Sequence, residues 1–146
     1  MRCELCSPLG NILVSTPQWR VVLVDDAHYP GFCRVIWNGH VREMTDLSEQ
    51  ERNELMRVVW QVEAAIREVM QPYKVNLASL GNVVPHLHWH VIPRFSDDLH
   101  FPNPIWGQVE RSVNAALQDR FALLEKLTAA IQSKLGNDTD YDAISH

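Results

Sequence analysis

The sequence predicts an α+β domain: a mostly antiparallel sheet with one long helix and a second helix at the C-terminal end. Three observations carry this. Short β-branched runs fall into two groups along the chain, and a strongly signalled amphipathic helix separates them. The connections within each group are of hairpin length, which argues against alternating βαβ units. Taken in order, a short stretch at 12–14 reads as an edge strand. Residues 19–24 (WRVVLV) form a compact strand that Asp25-Asp26 ends. Pro30-Gly31 turns the chain into 32–37 (FCRVIW), which Asn38-Gly39 closes. Ser48 with Glu51 three residues later is a capping box. From there Leu55, Val58, Val59, Val62, Ile66 and Val69 recur at three- and four-residue spacing, the stripe of a half-buried helix, until Pro72 stops it. Residues 75–80 and 86–92 read as two further strands joined through Gly81-Asn82. A weaker helical pattern spans 109–135 and ends at Gly136, and the polar residues 137–146 read as a frayed tail. The domain is therefore expected over residues 1–136.

Composition narrows the function. The chain has 146 residues, 46% apolar and 21% charged, enough for one sizeable core. With 13 Lys+Arg against 18 Asp+Glu the net charge is −5, which argues against nucleic-acid binding through a broad basic face. No apolar run reaches the roughly 18–20 residues of a membrane span, and Met-Arg-Cys-Glu-Leu-Cys has no apolar signal core. Three cysteines, an odd number, point to a reducing compartment, so cytoplasm is the expected location.

The most informative segment is Pro85-His86-Leu87-His88-Trp89-His90-Val91-Ile92. In a strand, alternation puts His86, His88 and His90 on one face about 6–7 Å apart, with Leu87, Trp89 and Val91 turned to the core. Read from residues alone, this row allows three chemistries. It could be a His-rich solvent face, a three-imidazole metal site, or a nucleophilic site. In the last, a neutral imidazole attacks phosphorus or an acyl carbon while its neighbours orient the substrate and protonate the leaving group. His88, with a partner on each side, is then the natural nucleophile. Cys3-Glu4-Leu5-Cys6 has the spacing that lets two thiolates share a zinc, although one such pair alone is a weak signal.

Residues 81–92 resemble the signature of the histidine-triad (HIT) superfamily, His-φ-His-φ-His-φ-φ with φ hydrophobic, and all seven positions fit. Gly81-Asn82 corresponds to the usual Gly-Gln. Asp25, Pro30-Gly31, the FCRVIW strand and His40 with Asp46-Leu47-Ser48 resemble the superfamily's first half, so the likeness covers residues 3–106. It implies a five-stranded antiparallel sheet, a homodimer that joins two sheets, and nucleotidyl hydrolase or transferase activity at an α-phosphate. Nucleoside phosphoramidates, dinucleoside polyphosphates and similar conjugates would be the substrates, with a covalent nucleotidyl-histidine intermediate and no organic cofactor. Residue by residue, His88 would be the nucleophile, His90 would contact the phosphate and serve the leaving group, and His86 would position the site. Asn82 and Asn76 would meet phosphate oxygens, and Asp25, after a one-residue shift, the ribose hydroxyls. The resemblance to the uridylyltransferase branch implies a structural zinc held by Cys3, Cys6, His40 and His86. Three features depart from the pattern: Val83 where Ser or Thr is usual, a stretch from Asn76 to Asn82 one residue short, and the bulk of Trp89. The other classes left open are a nucleotide-binding regulatory module with little turnover and a zinc protein whose histidine row is the metal site. No nucleic-acid or membrane partner is expected.

Other residues draw less definite readings. Arg94 is expected to meet either a phosphate or a surface carboxylate. Trp106 is placed at the substrate mouth, the dimer seam or in simple packing. His28 and His100 read as surface residues, and Cys33 as a small buried hydrophobe. Arg42, Glu43 and the Glu49-Glu51-Arg52-Glu54 cluster read as a solvated face.

Overall fold

The computed structural model describes residues 3–7 and 10–136. Strands β1 (Asn11–Ser15), β2 (Trp19–Leu23) and β3 (Cys33–Trp37) precede helix α1 (Glu49–Met70). Strands β4 (Lys74–Ala78) and β5 (His88–Arg94) follow, then α2 (Leu117–Phe121) and α3 (Leu124–Gly136). The five strands form one sheet in the order β1-β2-β3-β5-β4, and every neighbouring pair is antiparallel. The predicted α+β class and five-stranded sheet are both present.

Alternation along each strand divides the sheet into two faces. Trp19, Val21, Cys33, Val35, Trp37, Val75 and Val91 point to one side. There they pack with Leu55, Val58, Val59, Val62 and Ile66 of α1 and Leu127, Ile131 and Leu135 of α3. Cys33 is fully buried, which pushes its thiol up to about 12; it behaves as the small hydrophobe expected. Helix α1 begins where its capping box places it: Glu51 N donates to Ser48 Oγ at 3.2 Å, and Ser48 N to Glu51 Oε1 at 2.8 Å. It ends at Gln71, in the left-handed region at φ 50, just before Pro72. Gly31 turns the chain into β3 at φ +91, and a Cβ there would collide with the Met70 sulfur. No helix among the described residues is long and apolar enough to cross a membrane.

Two expectations change. The pattern at 109–135 is not one helix, because residues 109–116 are tied to the preceding turn. Glu110 N donates to Leu99 O at 2.9 Å, and the Arg111 guanidinium reaches Phe101 O at 2.7 Å. The helical part is then split between Phe121 and Leu124. The histidine strand also starts at His88, not His86. Leu87 N donates to Val41 O and His86 N to Val84 O, both at 2.8 Å, which holds residues 84–87 in a turn. The tail at 137–146 lies outside the described residues.

Candidate active site

The face of the sheet away from the helices carries the polar residues. His88 and His90 stand side by side on β5, ring centroids 4.8 Å apart and nearly perpendicular. Opposite them on β3, Ile36 pairs with His88 and Arg34 with His90. His88 Nδ1 lies 2.6 Å from the main-chain oxygen of His86. A carbonyl only accepts, so Nδ1 carries the proton and Nε2 the basic lone pair. Ser79 Oγ donates to His88 O at 2.8 Å and holds that backbone in place. Burial, then the neighbouring Arg34 charge, keeps the His88 imidazole below its ordinary pKa. His90 is pushed further, to about 4, by burial first and then by the charges of His88 and Arg34. Its ring sits between Phe32 at 5.6 Å and Trp106 at 5.0 Å, and Trp106 is itself half exposed.

His86 is only 1% exposed but leaves the row. Its Nε2–H donates to Trp37 O at 2.5 Å, which frees Nδ1 as a ligand atom. That nitrogen lies 3.4 Å from Cys3 Sγ, 3.5 Å from Cys6 Sγ and 3.2 Å from His40 Nδ1, and Cys6 Sγ lies 3.3 Å from His40 Nδ1. All four ligand atoms fall within 4.8 Å of one another. Zinc–sulfur bonds of about 2.3 Å and zinc–nitrogen bonds of about 2.0–2.1 Å give tetrahedral edges of about 3.3–3.8 Å. Two thiols and two imidazoles at these separations fit a structural zinc. The His86 Nε2–H bond to a carbonyl is the outer support that metal-bound imidazoles commonly have. Arg20, 4% exposed, pins the cysteine loop to β2 through Leu5 O at 2.6 Å and Ser7 O at 3.3 Å. Neither His88 nor His90 joins this cluster, so among the described residues the histidine row is not itself the metal-ligand set.

Arg94 corrects both of its readings. It is 2% exposed and forms a buried two-bond pair with Asp98, at 2.8 and 3.0 Å, so it reaches neither a surface partner nor open space. Burial works against the Asp98 carboxylate. The bonds from Arg94 and from the Phe95 and Phe101 amides outweigh burial and hold it below the usual range. Arg94 Nη1 also donates to Asn76 Oδ1 at 2.8 Å, which commits the Asn76 oxygen and leaves its NH2 free to donate. His100 is half-buried rather than a surface residue, with Nδ1 2.6 Å from the Tyr29 hydroxyl; His28 is exposed as expected. Asn82 and Val83 lie exposed in the 79–85 loop. Asp25 is exposed beyond the end of β2, with β3 between that strand and β5, and Asp26 is occupied by the His28 and Tyr29 amides. The sequence reading passed over Arg34, Ser79 and Asp98. Of these, Arg34 carries a signal: it is a charge inside an otherwise apolar strand, as Arg20 is in 19–24.

A family model described as HIT domain matches residues 9–97. The chain belongs to the HIT-domain family. This HIT domain is 32% identical over 84 residues to a Mycobacterium tuberculosis protein named AP-4-A phosphorylase, covering 53% of this chain and 43% of that one. It therefore spans less than half the length of that relative. It is 25% identical over 122 residues to a Schizosaccharomyces pombe bis(5'-nucleosyl)-tetraphosphatase (asymmetrical), covering 76% and 67%. Among solved structures, a histidine triad protein from Bradyrhizobium japonicum superposes with TM-score 0.68 at 29% identity, over 85% of this chain and 89% of that one. A Zn-bound histidine triad family protein from Mycobacterium smegmatis shares the fold at TM-score 0.60 and 19% identity, over 90% and 94%.

Proposed function

We propose that this HIT domain is a nucleotidyl hydrolase or transferase that acts on a dinucleoside polyphosphate, a nucleoside phosphoramidate or a similar conjugate. The observation that carries the reading is the His88 Nδ1–H bond to the His86 carbonyl, which makes Nε2 a basic, neutral nucleophile. Its lone pair forms a bond to the α-phosphorus as the bond from phosphorus to the leaving group breaks. The leaving atom takes that electron pair and a proton from His90. His90 is neutral in the free protein, and an arriving phosphate anion favours its imidazolium form. Water, or an acceptor phosphate, then attacks the phosphorus. The attacking group gives its proton to His90, and the N–P electron pair returns to His88. Asn76, with its oxygen held by Arg94, donates its NH2 to the phosphate, joined by Asn82 from the loop, and Asp25 meets the ribose hydroxyls. The names of the relatives support polyphosphate substrates.

Cys3, Cys6, His40 and His86 hold a structural zinc in this reading. When bound, the ion fixes the His86 turn and with it the carbonyl that His88 uses; the reaction itself is carried by the side chains. The β4 edge, with exposed Tyr73 and Leu77 and with Trp60 60% exposed on α1, is where a second copy would join the sheet. A reducing, cytoplasmic setting suits the two free metal-facing thiols. The test is product formation by ³¹P NMR on diadenosine polyphosphates, an adenosine phosphoramidate and nucleotide sugars with acceptor phosphate. Monophosphate or nucleotidyl transfer that disappears in His88→Ala is expected; binding without turnover would move the domain to the regulatory class.

A further inference from the structure

Four basic side chains lie on the triad face of the sheet: Arg20 on β2, Arg34 on β3, Lys74 on β4 and Arg94 on β5. Three are committed to protein acceptors. Arg20 binds Asn38 Oδ1 at 2.7 Å and the cysteine loop, Lys74 Nζ donates to Val75 O at 2.9 Å, and Arg94 is paired with Asp98. Arg34 is different. Among the described residues none of its nitrogens has a hydrogen bond or ion pair, and its Nε, like that of Arg20, is buried without a partner. Its guanidinium rests 5.7 Å from the centre of the Phe32 ring, and Glu4 is the one carboxylate that affects its charge. Its Cα pairs directly with that of His90, and Val22 is its partner on the other side. The cation thus lies against Phe32, which clusters with Tyr29 and Ile92, on the strand that pairs with His90.

Burying a guanidinium donor with no acceptor is unfavourable unless an acceptor arrives. A planar, multi-donor cation beside a phosphate-transfer site suits phosphate oxygens. Resting on the nucleotidyl reading above, we infer that Arg34 binds the α-phosphate of the substrate from the β3 side, as the site's main charge contact, and so distinguishes nucleotides from nucleosides. Asn76 approaches the same phosphate from the β4 side with neutral donors. Charge neutralisation at this site then falls to Arg34: Arg94 has its own carboxylate, Arg20 turns to Asn38 and the cysteine loop, and Lys74 pairs with Arg94, four residues along β5 from His90.

The test compares AMP and adenosine binding by calorimetry to the zinc-loaded protein, in wild type, Arg34→Met and Arg34→Lys. Thermal melting and zinc content serve as checks on folding. Arg34→Met is expected to weaken AMP at least tenfold and leave adenosine within about twofold, with Arg34→Lys between. The AMP affinity of wild type should also fall with added salt more steeply than that of Arg34→Met. Equal AMP binding by wild type and a folded Arg34→Met overturns the inference alone. Equal loss of AMP and adenosine also overturns it, and makes Arg34 a base-stacking residue. Wild type that binds neither ligand contradicts the nucleotide reading and takes the inference with it.

Discussion

His86 and His88 are coupled through one short bond: the main-chain oxygen of His86 accepts the His88 Nδ1 proton at 2.6 Å, while the His86 side chain faces the cysteines. The acceptor is backbone, so side-chain substitutions at 86 and 88 should separate. His88→Ala should cut turnover by at least about 10³-fold with zinc retained, as loss of a covalent nucleophile does. His86→Ala should lose zinc while keeping measurable turnover, because the carbonyl remains. Paired kinetics and metal analysis check this, and an inactive His86→Ala with full zinc would contradict it.

The four-ligand cluster predicts metal stoichiometry. Wild type should carry about one zinc per chain, and His40→Ala and Cys6→Ser should carry almost none. Loss of the ion should release residues 3–7 and lower the melting temperature by several degrees, about 2–4 °C for each kcal/mol lost. Full zinc occupancy in His40→Ala, measured by plasma emission, would place the metal elsewhere.

Arg94 and Asp98 are 2% and 3% exposed as side chains, so removing one leaves the other charged and buried. Asp98→Ala is expected to cost about 3–5 kcal/mol in chemical denaturation. Asn76→Ala strips one acceptor from the buried Arg94 guanidinium, so it should cost less, about 1–3 kcal/mol, and should also reduce turnover. A stability loss below about 1 kcal/mol for Asp98→Ala would mean that water reaches the pair.

Acid should destabilise the fold through His90. The unfolded imidazole takes up a proton as pH falls through 6.5, whereas the folded one, held at about 4, does not. Between those values the unfolded state binds more protons, so stability falls with falling pH, by at most about 1.4 kcal/mol per pH unit from this group. Urea denaturation at pH 7 and pH 5 should show a steeper loss in wild type than in His90→Asn. Equal slopes would mean that His90 is not held neutral.

Much of the frame was legible because its signals are local. Ser48 with Glu51, and Pro72, mark the two ends of α1, and alternation alone places His88 and His90 opposite Trp89 and Val91. The departures have tertiary causes. His86 is taken out of the row by contacts with Trp37 and the cysteine loop, far away in sequence. Arg94 and Asp98 have the four-residue spacing of a helical pair but meet across the turn after β5, where no helical stripe marks them. The helical pattern at 109–116 fails because Arg111 and Glu110 bind the 98–101 turn instead of their own helix. The cysteines gave a weak signal alone, and resemblance rather than spacing linked them to His40 and His86.

The central claim is a covalent nucleotidyl group on His88, and intact-mass spectrometry of the protein, rapidly quenched at neutral to alkaline pH after mixing with a diadenosine polyphosphate, tests it most directly. A mass increase of one adenylyl group, mapped to the peptide that contains His88 and missing from His88→Ala, is the result predicted. Turnover in wild type with no adduct at any quench time, and with His88→Ala equally active, would contradict the account.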